Sequence, residues 1–315
     1  MTEEALRVPR PRSRLAGRPR WGQLRHDIWK NRWAYAFISP FYLLFVVFGL
    51  FPVLFSVYLS LQEWKGVGPM EFVGLKNYDF LFGAGGKVFW QSIGNGIILF
   101  FMYVPIMTFL AIALAVILNS KLVRFFQAYR TMLFAPYVTS MIAAGFVFRL
   151  LLEAKGGLFN TALGALGLPE VPWLEDFWWA RVSLCLLVTW AWLGYNMVIM
   201  LAGLQTIPRE LTEAAMIDGA SQVQAFFRIT IPLLRPVILF SVILSTMGSF
   251  NLFNEVMALT GGGPMRATLT PMVQIYNVAF GDFRFGRASA MAYVYFALIF
   301  VLTIVQFRYG ARERS

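Results

Sequence analysis

Six long runs of uncharged, mostly apolar residues limit the folds open to this chain. A helix needs about 20 apolar residues to cross a bilayer, whereas a transmembrane barrel is built from alternating segments of about 10 residues. The runs therefore predict an all-α polytopic membrane protein with six transmembrane helices, at about residues 34–61, 92–118, 127–152, 182–204, 232–256 and 288–308. The runs are Ala34–Leu61, Ser92–Leu118, Thr131–Phe148, Val182–Ile207, Pro236–Asn254 and Ala288–Phe307.

The positions of Lys and Arg predict the orientation, because cytoplasmic segments near the spans retain positive charge. With the N-terminus inside, the inner segments hold twice as many basic residues as the outer ones. Both termini of this cell-membrane protein are therefore predicted to be cytoplasmic. The basic, proline-rich residues 1–30 are expected to form a disordered tail on anionic lipid, not a nucleic-acid site, and residues 31–315 the membrane domain.

The rarity of cysteine and histidine restricts the chemistry. Cys185 is the only cysteine and His26 the only histidine, which argues against a His/Cys metal cluster and a histidine-based catalytic triad. The sequence also lacks the G-x-x-x-x-G-K-[ST] phosphate-binding loop. The chain is therefore predicted to carry no cofactor and no ATPase site of its own.

One polar, helix-forming segment, Glu210–Pro236, interrupts the apolar runs between the fourth and fifth predicted spans. Pro208 suits the first turn of a short helix, and Gly219 can end that helix in a left-handed conformation. Ser221 with Gln224 forms a capping-box pattern for a second short helix. The segment could rest on lipid as an amphipathic helix, but its acidic residues are unfavourable against an anionic leaflet. They favour a protein partner.

The sequence EAAMIDGASQVQAFFRITIP, Glu213–Pro232, resembles the EAA loop of ATP-binding-cassette (ABC) importer permeases. Ile231 replaces the usual leucine of that motif. The resemblance implies a coupling helix that docks on a separate ATPase subunit through Glu213, Ala214, Ala215, Asp218 and Gly219. The matching positions are Glu213, Ala214, Ala215, Gly219, Ile229 and Pro232.

Further motifs along the chain narrow the resemblance to maltose-type carbohydrate permeases, which are similar to the glycerol-phosphate and multiple-sugar permeases. This implies the type I ABC importer permease fold, with a second homologous permease, two ATPase subunits, an extracytoplasmic solute-binding protein and a sugar substrate. The motifs are FVGLKNY at 72–78, YRTMLFAPY at 129–137, GGLFN at 156–160, LAGLQTIP at 201–208, LTGGGP at 259–264 and FGRASA at 285–290.

Polar and aromatic residues within the spans predict the substrate pathway, because such groups are costly in hydrocarbon. In the maltose permease, the positions that match Tyr137, Trp192, Gly194, Ser245 and Ser249 border the sugar, although the asparagines expected at 190, 249 and 252 are absent here. The alternative is that these polar residues only bridge neighbouring helices. Glu255 is expected to be solvated at the rim. The candidate pathway residues are Tyr137, Trp192, Gly194, Tyr195, Asn196, Ser245, Ser249 and Asn251.

Other transport functions remain open at this point. A secondary carrier or channel usually shows internal repeats and charged residues within its spans, and the runs here are uncharged. An amino-acid or peptide importer permease would share the EAA loop but would lack the FVGLKNY and TGGGP motifs. A glycerol-phosphate permease would favour arginines in its cavity, and the span cores hold none, which favours a neutral glycoside.

Overall fold

The computed structural model describes His26, residues 28–120 and residues 123–312. Most of the predicted N-terminal tail, up to residue 25, lies outside the described residues. Residues 28–30 are already helical. The chain divides into two compact units, one up to Ser56 and one from Val57 onward.

Within the described ranges, five helices are long and apolar enough to cross a membrane, and a bent pair of helices supplies a sixth crossing. This confirms the predicted all-α polytopic architecture. We number these crossings as the first to sixth spans. The spans are Arg32–Ser60, Ala84–Asn119, the pair Phe126–Val138 and Met141–Leu151, Phe177–Gln205, Gln222–Phe250 and Phe285–Arg308.

The first unit contains most of the first span. It consists of the helix Arg32–Phe45, a π-helical turn at Val46–Leu50 and the beginning of the helix Phe51–Ser60. Aromatic side chains stack along it at helical spacing, with ring centroids 6.5 Å apart for Phe41 and Phe45. Such i, i+4 pairs lie on one helix face and support the helix locally.

A small folded connection follows the first span. The two-residue strands Gln62–Glu63 and Glu71–Phe72 pair antiparallel, and the helix Lys76–Phe82 lies next to them. The buried amide of Asn77 donates hydrogen bonds to the carbonyl oxygens of Ser60, at 2.9 Å, and Gln62, at 2.8 Å. Asn77 belongs to the FVGLKNY motif, so the motif fixes where the chain leaves the first span.

The third span, predicted at about 127–152 with a proline break at Pro136, consists of two helices. Its halves, Phe126–Val138 and Met141–Leu151, meet at an angle of 95°. Pro136 cannot donate a backbone hydrogen bond, and Thr139 is extended with ψ 153°. The side chain of Ser140 then caps a new helix by accepting the Ala143 N–H at 3.5 Å. A proline before the bend and a new N-cap after it explain why the helix does not continue.

The fourth span, Phe177–Gln205, is the centre of the second unit, and half of its most apolar window is buried. It packs against the second span, the first half of the third span and the fifth span. Large apolar side chains of the second and fourth spans form the core of this packing. They include Leu99, Met107, Leu184, Leu187, Met197 and Met200.

The fifth span begins earlier and ends sooner than the predicted 232–256. Its helix starts at Gln222, passes through a π-helical turn at Phe226–Thr230 and continues to Phe250. The predicted second short helix is therefore continuous with the fifth span. A separate helix, Asn254–Leu259, follows after a turn. Further short helices lie at Leu158–Ala165, Arg209–Ile217 and Pro271–Tyr276, and a π-helical turn at Asn277–Gly281 extends the last of them.

Candidate functional site

The polar segment between the fourth and fifth spans folds as a short helix and a sharp turn. The helix Arg209–Ile217 starts directly after Pro208, one residue later than predicted. Gly219 has φ +90°, as predicted, and it ends the helix. Two hydrogen bonds close the turn, from the Ala220 N–H to the Ala215 carbonyl at 2.9 Å and from the Gly219 N–H to the Met216 carbonyl at 3.1 Å. This is the Schellman pattern, in which glycine avoids the strain of the left-handed conformation.

The predicted capping box starts the next helix. The Gln224 N–H donates to Ser221 Oγ at 3.2 Å, and the Ser221 N–H donates to Gln224 Oε1 at 2.9 Å. Because this helix runs on without a break to Phe250, the turn at Gly219 is directly joined to the fifth span.

The helix Arg209–Ile217 exposes apolar and acidic side chains together. Ile217 is 87% exposed, and Leu211 and Met216 are also exposed. Glu213, Ala214, Asp218 and Gly219 are exposed, and Ala215 is half-buried. In the part of the chain that the structure describes, the Glu213 and Asp218 side chains have no hydrogen-bond or ion-pair partner. Such a surface can bind another protein.

A cavity of about 140 Å³ lies between the second, fourth and fifth spans. Four of the candidate pathway residues line it, namely Trp192, Tyr195, Asn196 and Ser245. The sequence did not predict the contribution of the second span, from which Tyr103 and Met107 complete the wall. A tyrosine within an apolar run was the available signal for Tyr103.

Tyr137 joins this cavity's aromatic side chains from the third span. Its ring stacks on Tyr195, with centroids 4.7 Å apart, and meets the edge of Trp192 at 5.3 Å. The contact is possible because the third span crosses the fourth at Gly194, which is buried against Leu133. A Cβ atom at Gly194 would lie 1.8 Å from the Leu133 carbonyl oxygen. Gly194 thus permits close helix packing and is not among the residues that line the cavity.

The polar candidates mostly bridge helices. Asn196 is 3% exposed, and its Oδ1 atom accepts hydrogen bonds from Ser241 Oγ at 2.5 Å and from Ser245 Oγ at 3.4 Å. The buried Ser249 hydroxyl donates to the Thr246 carbonyl at 2.8 Å. Asn251 accepts the Tyr295 hydroxyl at 2.9 Å and therefore faces the sixth span. Ser249 and Asn251 are not among the residues lining the cavity.

Glu255 is buried, whereas the sequence predicts a solvated carboxylate at the rim. Only 6% of the residue is exposed. The fifth span ends at Phe250, and the chain turns before the helix Asn254–Leu259, which packs against the bundle. Burial raises the pKa of Glu255, while hydrogen bonds from its own N–H, the Trp192 side chain and the Phe253 N–H oppose the rise. Glu255 therefore lies beside Trp192, a side chain of the cavity wall.

Near the beginning of the fourth span, Arg181 fixes a loop that connects the fifth and sixth spans. The residue is 3% exposed, and its guanidinium donates to the Ala267 carbonyl at 2.9 Å and to Asn95 Oδ1 at 2.8 Å. Asn95 in turn donates to the carbonyls of Arg266, at 2.8 Å, and Leu269, at 3.0 Å. The sequence did not predict this role for Arg181.

A helical bundle with a cavity between its spans and an exposed helix–turn between two of those spans defines a membrane transport subunit. Residues 80–315 match the family of binding-protein-dependent transport system inner membrane components, and the chain belongs to this family. The protein is therefore a multi-pass protein of the cell membrane. The resemblance stated from the EAA segment is confirmed.

Characterised relatives align over nearly the whole chain. The lactose transport system permease protein LacF of Rhizobium radiobacter is 41% identical over 290 residues, covering 90% of this chain and 95% of that protein. The arabinooligosaccharides transport system permease protein AraP of Halalkalibacterium halodurans is 37% identical over 276 residues, covering 86% and 85%.

Solved structures share the fold. A chain of a bacterial ABC transporter involved in the import of the acidic polysaccharide alginate has a TM-score of 0.79 at 22% identity, covering 92% of this chain and 99% of that chain. A chain of a bacterial alginate ABC transporter in complex with an alginate pentasaccharide-bound periplasmic protein has a TM-score of 0.78 at 21% identity. These likenesses confirm the fold class.

Proposed function

We propose that this protein is a permease subunit of an ABC importer and forms half of a pathway for a saccharide across the cytoplasmic membrane. The observation that carries the proposal is the exposed helix–turn at Arg209–Gly219, which joins the fourth and fifth spans, two of the three spans that line the cavity. The relatives named for lactose and arabinooligosaccharide transport support a saccharide substrate.

The energy source in this proposal is a separate pair of ATPase subunits. The sequence contains no phosphate-binding loop, so ATP hydrolysis is assigned to the partner. The exposed apolar side chains of Leu211, Met216 and Ile217, next to Glu213 and Asp218, supply the surface on which that partner docks. The inner segments hold more basic residues than the outer segments, which supports placing this surface and both termini in the cytoplasm.

A neutral saccharide suits the cavity. Aromatic rings of Trp192 and Tyr195 supply stacking faces, and Ser245 supplies a hydroxyl. Among the described residues, no Lys, Arg, Asp or Glu side chain lines it. Its volume of about 140 Å³ is smaller than the roughly 300–1,000 Å³ of ordinary ligand pockets. A second, homologous permease subunit would supply the other half of the saccharide pathway.

The test is reconstitution of this chain with its second permease, the ATPase and an extracytoplasmic solute-binding protein. We expect ATP hydrolysis that rises with the saccharide-loaded binding protein, together with saccharide uptake into proteoliposomes. The chain alone is expected to show neither activity. Saccharide counterflow by the purified single chain, without ATP or partners, would instead identify a secondary carrier.

A further inference from the structure

A polar cleft of about 500 Å³ lies at the end of the second unit where the fifth span ends and the second and sixth spans begin. We call this the outer cleft, because the proposed orientation places it outside. Its wall includes the side chains of Arg266, Gln274, Asn277 and Asp282 and the backbone of Gly261–Gly263. The outer cleft shares no residue with the cavity between the second, fourth and fifth spans, and none with the EAA segment.

The four polar side chains of the outer cleft are available to bind a partner. Within the described ranges, none of them makes a hydrogen bond or an ion pair through its side chain. Arg266, Asn277 and Asp282 are exposed and Gln274 is half-buried. The outer cleft therefore presents a positively charged guanidinium, a negatively charged carboxylate and two neutral amides on one concave surface. Together these groups supply both hydrogen-bond donors and hydrogen-bond acceptors.

The backbone of the outer cleft is held in one shape before any partner arrives. Met265 and Arg266 both have a left-handed backbone conformation, with φ 45° and 62°. Residues other than glycine rarely adopt this conformation. The buried Thr268 hydroxyl donates to the Gly263 carbonyl at 2.8 Å, and Arg181 and Asn95 hold the neighbouring carbonyls. Strained backbone held in place by its surroundings is typical of binding sites.

We propose that the outer cleft is the docking site for a protruding polar loop of the extracytoplasmic solute-binding protein. The proposal rests on the proposed function and names the surface that this partner uses. A protein loop fits the lining better than a free saccharide, because no aromatic ring of the described residues lines the cleft. A lipid headgroup fits less well, because Asp282 would repel its phosphate.

The test measures how much loaded binding protein is needed to stimulate ATP hydrolysis by the complete complex in nanodiscs. Arg266→Glu and Asp282→Lys reverse the two charges, and Asn277→Trp fills the cleft without changing charge. Lys155→Glu is the matched control, because Lys155 is exposed and does not line the cleft. We expect each cleft variant to raise the half-stimulating concentration about tenfold, as the loss of a central interface contact does, while the control stays at the wild-type value.

The outcomes separate this inference from the proposed function. Half-stimulating concentrations equal to the control in all three cleft variants overturn the docking site and leave the importer function intact. The variants could instead change only the free saccharide concentration that is needed to stimulate ATP hydrolysis at saturating binding protein. That result would identify the cleft as a saccharide site and overturn the docking proposal. Absence of stimulation in the wild-type complex refutes the proposed function itself.

Discussion

Replacing Gly194 by alanine tests whether the close crossing of the third and fourth spans supports the cavity. The new Cβ atom would lie 1.8 Å from the Leu133 oxygen, 2.5 Å from the Leu133 carbonyl carbon and 2.9 Å from the Phe134 Cα atom. These are backbone atoms, so no side chain can rotate away. Since carbon contacts are comfortable at about 3.5 Å, the two helices have to separate by roughly 1.5 Å.

We expect Gly194→Ala to lower the free energy of unfolding by about 3 kcal/mol, the upper part of the range for overpacked sites. The separation also pulls Tyr137 away from Tyr195 and Trp192, whose rings lie 4.7 Å and 5.3 Å from it. Saccharide uptake should therefore fall together with stability.

Thermal unfolding in detergent can be followed with a thiol-reactive dye, because Cys185 is buried and is the only cysteine. Gly94→Ala, on the second span, is the matched control, since nothing lies within 4 Å of the position that its new methyl group would take. This control should keep or slightly raise the melting temperature. If Gly194→Ala melts and transports like Gly94→Ala, the explanation of the crossing is wrong.

Three further predictions follow from other parts of the molecule. Gly219→Pro should abolish substrate-stimulated ATP hydrolysis at normal membrane abundance, because proline cannot adopt φ +90°; normal stimulation would mean that the turn has no coupling role. Trp192→Ala should lower uptake about tenfold, or about 1.4 kcal/mol. Trp192→Phe keeps a ring but loses the indole N–H that lies near Glu255, so its uptake should fall between those of the wild type and Trp192→Ala. Wild-type uptake in both variants would favour a role in helix bridging alone. Asp176 caps the fourth span, and the N–H groups of Trp179 and Trp178 lower its pKa. The Asp176 cap should stabilise the protein fully above the ordinary pKa of aspartate. This stabilisation should be lost as the pH falls through the lowered pKa that Asp176 has in the folded protein. Asp176→Ala should remove this pH dependence of the melting temperature.

The features that could be predicted from the sequence are set by residues that lie close together along the chain. The spans follow from uncharged apolar length, and the Gly219 turn and the Ser221 capping box follow from local backbone chemistry. Pro136 also signalled a weak point in the third span, but the 95° bend depends on Ser140 starting a new helix. A local pattern gives the position of a break and not its angle.

The features that were missed depend on contacts between distant parts of the chain. Arg181 donates to Ala267, 86 residues away, and Asn251 accepts from Tyr295, 44 residues away. Glu255 is buried because the chain reverses after Phe250. Helical periodicity assigns a residue to a face, but it does not say which helix covers that face.

The contact at Gly194 divides the fourth span into two unequal lengths of helix. The span's 29 residues form one unbroken helix, and Gly194 is pressed against the backbone of the third span. At 1.5 Å per residue, about 26 Å of helix lies on the Phe177 side of this contact and about 17 Å on the Gln205 side. A tilt about Gly194 therefore moves the Arg181 end, with the loop bonded to it, farther than the end that leads to the EAA segment.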